Sequence, residues 1–493
     1  MRLEQKKQED GRNLAVLAAC YLGAMLLCSG YTSPLYPNYF GYDSAIFSLL
    51  GKGITEGRQL YTELFDHKGP VIFFLNALGY WLGGRTGIFL LQCVEGLISL
   101  VFLYNTAKLF RPDKGAFSLK ECLILSGIAY TQFFYTFERG NLTEEHSLPV
   151  ICGVLYLLVK YAVSAEEKPE HPPKYAFAYG LALAYLAMLR LNNAVTVCGG
   201  ILFAAIYLLI RKRYGNLLWN LLFGLLGIAA MFLPFFAWFS LQGSLEEMIY
   251  ATFLHNFRIM GNTGRLSLFQ DVSTALLFAV LYLPGAICLG LWLARVGKAR
   301  KIRPVDGLMA VVLLVNLVVL LAANRFPHYF AIFSPVYAVF LWAYFSFEKK
   351  RFLTALVAVC TLANLGLIVR YSGASVYHVY IAKSAGQRYE VVKSDFDRIP
   401  EAERDSVIGF EIGADDYLRG DITPCYRYYT LQGTWALTSP FIIPEFMDFV
   451  ENEEPLWVLT RPQEKNTQLL GILSEKYTRQ FENEYIVYYR LKD

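Results

Sequence analysis

Runs of eighteen or more mostly apolar residues recur along this chain, and nothing constrains its fold more. A run of that length spans a hydrocarbon layer about 30 Å thick when helical. Spans are read near 14–31, 86–108, 121–137, 148–164, 175–191, 194–210, 217–240, 272–294, 305–323, 329–347 and 352–370. Of the 493 residues, 55% are hydrophobic and 17% are charged, which is too apolar for one soluble domain of this size. No small-residue cleavage site follows Ala18 to Ser29, so the first segment is expected to stay as an anchor. Eight of the nine cysteines lie in or beside apolar segments, and no Cys-x-x-Cys pair occurs. They read as small core residues rather than a disulfide or zinc framework.

Basic clusters fall between alternate spans, at Arg2/Lys6/Lys7/Arg12, Lys108/Arg111/Lys114/Lys120, Lys168/Lys174, Arg211/Lys212/Arg213, Arg295 to Arg303 and Lys349/Lys350/Arg351. Loops rich in Lys and Arg stay cytoplasmic. About 11 spans with the N-terminus inside satisfy every cluster and leave the polar tail outside. The segment Val71 to Gly84 is only about 21 Å long as a helix. It is read as a re-entrant or interfacial helix on the outer side. The expected organisation is a transmembrane domain over 1–370 with an outer loop at 32–85, then an extracytoplasmic domain over 371–493. Alternating strand and helix patterns in that tail predict a small α/β fold, with YTRQF continuing a helix and EYIVYYRL as the last strand.

This topology gathers ionisable residues on the outer loops, and such groups at a membrane tend to mark function. The first outer loop holds Asp43 at the start of a helix whose apolar residues Ile46, Leu49, Leu50 and Ile54 are expected to face lipid. A carboxylate there suits the helix dipole, and it equally suits catalysis at the membrane surface. The stretch ELFDHKGP then places Asp66, His67 and Lys68 beside a helix-breaking Gly-Pro pair. Lys68 fits either a snorkelling anchor or a phosphate contact. FERGNLTEEHSLP carries Arg139, Glu144, Glu145 and His146. Carboxylates and an imidazole suit a divalent cation, with His146 a ligand. Thr143 as a helix N-cap, with the acids in the first turn, suits the same residues. Arg190 and Asn192 in LRLNNA fit sugar hydroxyls, and later loops add His255, Arg325 and His328.

The order of these elements resembles the GT-C superfamily of membrane glycosyltransferases, in the branch of bacterial aminoarabinose transferases and family-39-like protein O-mannosyltransferases. The likeness runs through YDSAIFSLLGKGI, HKGPVIFFLNALGYWLGG, GNLTEEHSLP, LRLNN and FPHYF, and so covers most of the chain. It implies transfer of a hexose or pentose, with inversion, from a polyprenyl-phosphate donor to an extracytoplasmic acceptor in the cell envelope. It implies Asp43 as the catalytic acid position, Lys68 with Arg325 at the donor phosphate, and Glu144 or Glu145 as the second acid. Arg139, Arg190, Asn192, His255 and His328 would meet substrate. His67 stands where a relative has a metal-binding Glu, so a divalent metal cation is an implied cofactor. The implied location is the bacterial cytoplasmic membrane, with membrane lipid as a partner and no nucleic acid. A flippase or a polymerase of lipid-linked sugars would share the spans. A transporter would be expected to show paired repeats or broken spans at mid-membrane, and here polar residues gather at one surface instead.

Overall fold

The computed structural model describes residues 2–110, 137–257, 272–299, 301–322, 326–347 and 351–493. Among the described residues, five helices are long and apolar enough to cross a membrane: Gln8–Cys28, Pro70–Lys108, Thr143–Ser164, Pro173–Ile210 and Tyr214–Leu241. Shorter apolar helices occupy Tyr282–Val296 and Pro304–Val318. The span expected at 121–137 lies almost wholly outside the described residues. The chain divides into two compact units.

One unit comprises Met1–Cys28, Gln92–Phe236 and Arg265–Ser372. Its core is built from Leu17, Tyr104, Leu155, Leu158, Val197, Phe203, Leu308, Val312, Val336 and Phe340, all nearly inaccessible to solvent. The helices Val195–Ile210 and Pro304–Ala322 pack together, close enough at Gly199 that an added Cβ would lie 3.2 Å from the Val312 Cα. Small residues permit such approach where dispersion, not exclusion of water, drives association.

The other unit comprises Ser29–Leu91, Ala237–Gly264 and Gly373–Asp493. Its sheet has the order β1-β2-β4-β3, with β1 Val407–Gly409, β2 Trp457–Thr460, β3 Tyr477–Glu482 and β4 Val487–Leu491. β1 and β2 are parallel, while β4 runs antiparallel to both β2 and β3. The residues YTRQF, expected to prolong a helix, form most of β3 instead. The preceding helix stops at Lys476, and Tyr477 buries its ring while its strand pairs with β4. Pairing with a neighbouring strand overrode a pattern that reads equally as helix.

The helix Tyr42–Thr55 also departs from expectation. Ile46, Leu49 and Leu50 are buried, and so are Ser44, Ala45, Phe47, Ser48, Gly51 and Gly53. The helix is wrapped by its own unit rather than laid on lipid. Gly51 meets Asn76, and the helix packs on Ala414–Gly420 of the tail. Lys52 near its end pairs with Glu56 at 2.6 Å and Asp421 at 3.3 Å.

The apolar segment starting at Pro70 is one of two helical arms that meet at Gly83 and Gly84. Gly83 (φ 143°) and Gly84 (φ 64°) take conformations that side chains resist. The reversal brings the arms so close that a Cβ on Gly87 would lie 2.0 Å from the Gly79 carbonyl oxygen. Backbone cannot move aside as a flexible side chain can. Gly87→Ala is therefore expected to destabilise the protein by about 1–3 kcal/mol, read as a lower unfolding midpoint in detergent. Gly23→Ala, where a Cβ meets nothing within 4 Å, should leave the midpoint unchanged.

Candidate functional site

Lys68 is the centre of the first polar cluster. Its side chain is 9% exposed, and its Nζ lies 3.6 Å from Asp43 Oδ2 and 3.8 Å from Asp66 Oδ1. The ring of Phe47 lies under the ammonium, 5.3 Å away. Burying an ammonium demands compensating negative charge, and two carboxylates supply it. The loop is pinned from three directions. The Lys68 backbone N–H donates to Asp66 Oδ1 at 2.9 Å. The Tyr61 hydroxyl donates to the Lys68 carbonyl at 2.9 Å, and Asn256 donates to the His67 carbonyl at 2.6 Å.

The two carboxylates differ. Asp66 is 1% exposed, whereas Asp43, in the first turn of its helix, is 37% exposed. Burial raises the Asp66 acid above its ordinary 3.8; Lys68 opposes the rise, and the Asp43 charge adds to it. Burial also keeps the Tyr61 phenol protonated, and Asp66 reinforces that. Asp43 thus faces solvent, while Asp66 is enclosed beside the lysine.

Sequence reasoning placed His67 and His255 near function without joining them. Their rings lie 5.7 Å apart. His255 Nδ1 lies 3.1 Å from the Ser439 hydroxyl, which lies 2.7 Å from the Tyr250 hydroxyl. Ser439, Tyr250, Tyr61 and Asn256 carry no motif, and only the fold gathers them.

The second cluster belongs to the other unit. It begins in a loop where Glu138 (φ 44°), Arg139 (φ 74°), Gly140 (φ 88°) and Asn141 (φ 59°) are all left-handed. Thr143 is not the cap of the helix that follows. Leu142 holds that position without a side-chain bond, and the Thr143 hydroxyl donates to Glu144 at 2.9 Å. Glu145 instead reaches back to accept from the Asn141 N–H at 2.8 Å, and from Gln92 at 2.7 Å. That is the reciprocal half of a capping box, shifted by one residue. His146 bridges Glu95 at 2.6 Å and Asn141 at 3.1 Å.

Arg190 pairs with Glu144 at 2.8 Å and lies 3.8 Å above the Tyr329 ring. His328 reaches Glu138 at 3.0 Å. Asn193 rather than Asn192 joins this network, donating to Ser147 at 2.8 Å, while Asn192 stays exposed. Arg325 lies outside the described residues. His67 and His146, the expected metal ligands, belong to different units. Among the described residues no group of three His, Cys, Asp or Glu side chains is arranged to hold a metal ion.

Asp66 makes a pH prediction. The folded chain holds this proton more tightly than the unfolded chain, so the contribution of Asp66 to stability is full below about pH 3.8. It is lost as pH rises through the elevated folded value. Asp66→Asn should flatten that part of the stability profile above pH 4, measured by thermal unfolding across pH. At the second cluster, Arg190→Ala should cost about 3 kcal/mol by stranding the buried Glu144 charge. Adding Glu144→Gln to it should restore most of the loss in the same unfolding assay.

No protein-family model matches the sequence, and no curated protein matches it. Solved structures do. The chain is similar to ArnT from Cupriavidus metallidurans bound to undecaprenyl phosphate, with a TM-score of 0.64 and 12% identity over 96% of this chain and 97% of that one. The apo state of that protein gives a TM-score of 0.63 at 13% identity over the same shares. The archaeal oligosaccharyltransferase AglB from Archaeoglobus fulgidus, in complex with an inhibitory peptide and a dolichol-phosphate, matches at 0.48 and 13% identity, over 98% of this chain and 74% of that one. That last likeness is too loose to align residues. The first two extend almost end to end and show that this chain shares the fold of that protein, and its long apolar helices are those of a multi-pass membrane protein.

Proposed function

We propose that this protein is an integral-membrane glycosyltransferase that moves a sugar, with inversion, from a polyprenyl-phosphate donor to an extracytoplasmic acceptor. The observation that carries this reading is the buried Lys68 between a solvent-facing and a buried carboxylate, on a fold shared with a protein bound to undecaprenyl phosphate.

In the proposed reaction Asp43 takes the proton of the acceptor hydroxyl. The hydroxyl oxygen attacks the anomeric carbon from the face opposite the phosphate. The anomeric carbon–oxygen bond breaks, and its electron pair leaves with the polyprenyl phosphate. The Lys68 ammonium steadies that phosphate, as an oriented cation stabilises charge developing on a leaving group. Asp66 holds Lys68 in place and compensates its charge while Asp43 is engaged with the acceptor. The arrangement needs no nucleotide, because the lipid brings the sugar to the membrane surface. Within the other unit, Glu144 and Arg190, paired at 2.8 Å with Arg190 over the Tyr329 ring, are proposed as substrate contacts of their own. The location assigned with this reading is a bacterial cytoplasmic membrane, with Asp43 and the tail outside.

The test is transfer from radiolabelled polyprenyl-phosphate sugars by reconstituted protein, with a membrane extract of the native host as acceptor. Asp43→Asn should lower transfer about 100- to 10,000-fold, the usual contribution of a general base, while the donor still binds. Lys68→Gln should weaken binding of undecaprenyl phosphate itself about tenfold or more. Equal transfer by wild type and Asp43→Asn would remove Asp43 from the mechanism. Donor binding without transfer to any acceptor would turn the reading toward a flippase.

A further inference from the structure

We infer that a cavity beside the Lys68 loop is a subsite for one uncharged or amine-bearing sugar ring, an inference that rests on the glycosyltransferase reading. The cavity has a volume of about 230 Å³ and opens to solvent. It is lined by Tyr61, Phe65, Tyr250, Tyr428 and Phe441, with Glu246, Glu247 and Arg427 among them. All of these residues belong to the unit that holds Asp43, Asp66 and Lys68.

The lining has the chemistry of carbohydrate recognition. Aromatic faces cover the apolar C–H side of a sugar ring, and a few fixed polar groups orient it. Here the aromatic walls are held rigidly. Phe65 packs edge-on against Tyr428 at 5.3 Å between ring centres, and Tyr250 packs on Phe441 at 6.2 Å. Arg427 is paired with Glu445 and lies 4.7 Å over the Tyr428 ring. Its charge is thereby compensated, which leaves Glu246 and Glu247 to set the sign of the cavity. Glu247 Oε2 is buried and has no hydrogen-bond partner among the described residues. A buried carboxylate oxygen left so is costly unless a ligand donor meets it. A hydroxyl or an ammonium fits, whereas a carboxylate or phosphate would be repelled.

The cavity is also wired to the reacting groups. Tyr61, in its wall, holds the Lys68 carbonyl. Tyr250, also in its lining, leads through Ser439 and His255 to the ring of His67. A ring seated here therefore lies one residue layer from the proposed chemistry. It belongs either to the lipid donor or to the acceptor.

Methyl glucoside, methyl glucosaminide and methyl glucuronide are added to purified protein, and saturation-transfer NMR reads their binding without any turnover. The neutral and amino sugars are expected to bind, and the glucuronide at least tenfold more weakly. Glu247→Gln, which removes no hydrogen bond among the described residues, should weaken binding at least tenfold with an unchanged unfolding midpoint, and Tyr250→Ala should weaken it at least tenfold as well. Tyr250→Phe should retain the stacking and most of the binding. In the transfer assay the same variants should raise one KM selectively: the donor's if the ring is the donor sugar, the acceptor's if it is the acceptor. Binding indifferent to these substitutions, equal binding of the glucuronide, or no binding of any of the three would overturn the subsite. Asp43→Asn should leave glycoside binding intact, so loss of transfer in that variant speaks to the reaction and not to this cavity.

Discussion

A lysine buried to within a few per cent of full occlusion dictates the architecture around it. An ammonium out of water is tolerated only where negative charge and hydrogen-bond acceptors are fixed close by. Lys68 obtains them from Asp66, two residues before it, and Asp43, at the head of a helix twenty-five residues earlier. Holding those carboxylates in place requires a rigid loop and a rigid helix. The loop is tied by Tyr61 and Asn256, and the helix is enclosed on nearly every face. The lysine cannot be displaced without stranding a charge, so its position is reproducible, as the proposed phosphate contact requires.

The two carboxylates divide the work that one could not do. A single acid paired tightly with Lys68 would satisfy the ammonium but would be occupied when a substrate proton arrived. With Asp66 enclosed beside the lysine and Asp43 more than a third exposed, the proposed mechanism gives charge compensation to one group and chemistry to the other. Burial raises the proton affinity of Asp66, and the Asp43 charge pushes it further. The same coupling means that anything that engages Asp43 alters the balance at Asp66. The pair is a unit, and substitutions in it are not expected to add.

The sequence carried the membrane character and the places where ionisable groups cluster, because both depend on local composition. The end of the short helix at Gly84 was legible too, since Val71 to Gly84 is too short to cross a bilayer and was set apart from the span that follows. The partners of those groups were not legible. Ser439 lies 184 residues from the histidine it meets, and Thr423 lies 371 residues from Lys52. Neither has a motif, because a serine or threonine hydroxyl bonds wherever the fold brings a donor or an acceptor. Asn192 and Asn193 are adjacent and identical in type, and only the phase of one turn decides which is buried. YTRQF failed for a related reason: its strand identity comes from β4, which follows it in the chain.

The loop 138–141 shows where stability has been spent on geometry. Non-glycine residues in left-handed conformations each cost of order 1 kcal/mol or more and persist only when their surroundings hold them. Three of the four residues here are such cases. The restraints are identifiable: Glu145 grips the Asn141 N–H, His146 grips the Asn141 side chain, and His328 grips Glu138. A relaxed turn would connect the same elements at lower cost. What it would not do is present Glu138, Glu144 and His146 within one short stretch, already paired off against His328, Arg190 and Glu95. A substrate meeting that stretch finds groups whose orientation was settled during folding. Preorganisation of this kind moves the entropic cost from the binding step to the folding step, and under the proposed function a lipid-borne ligand would meet groups whose ordering had already been completed.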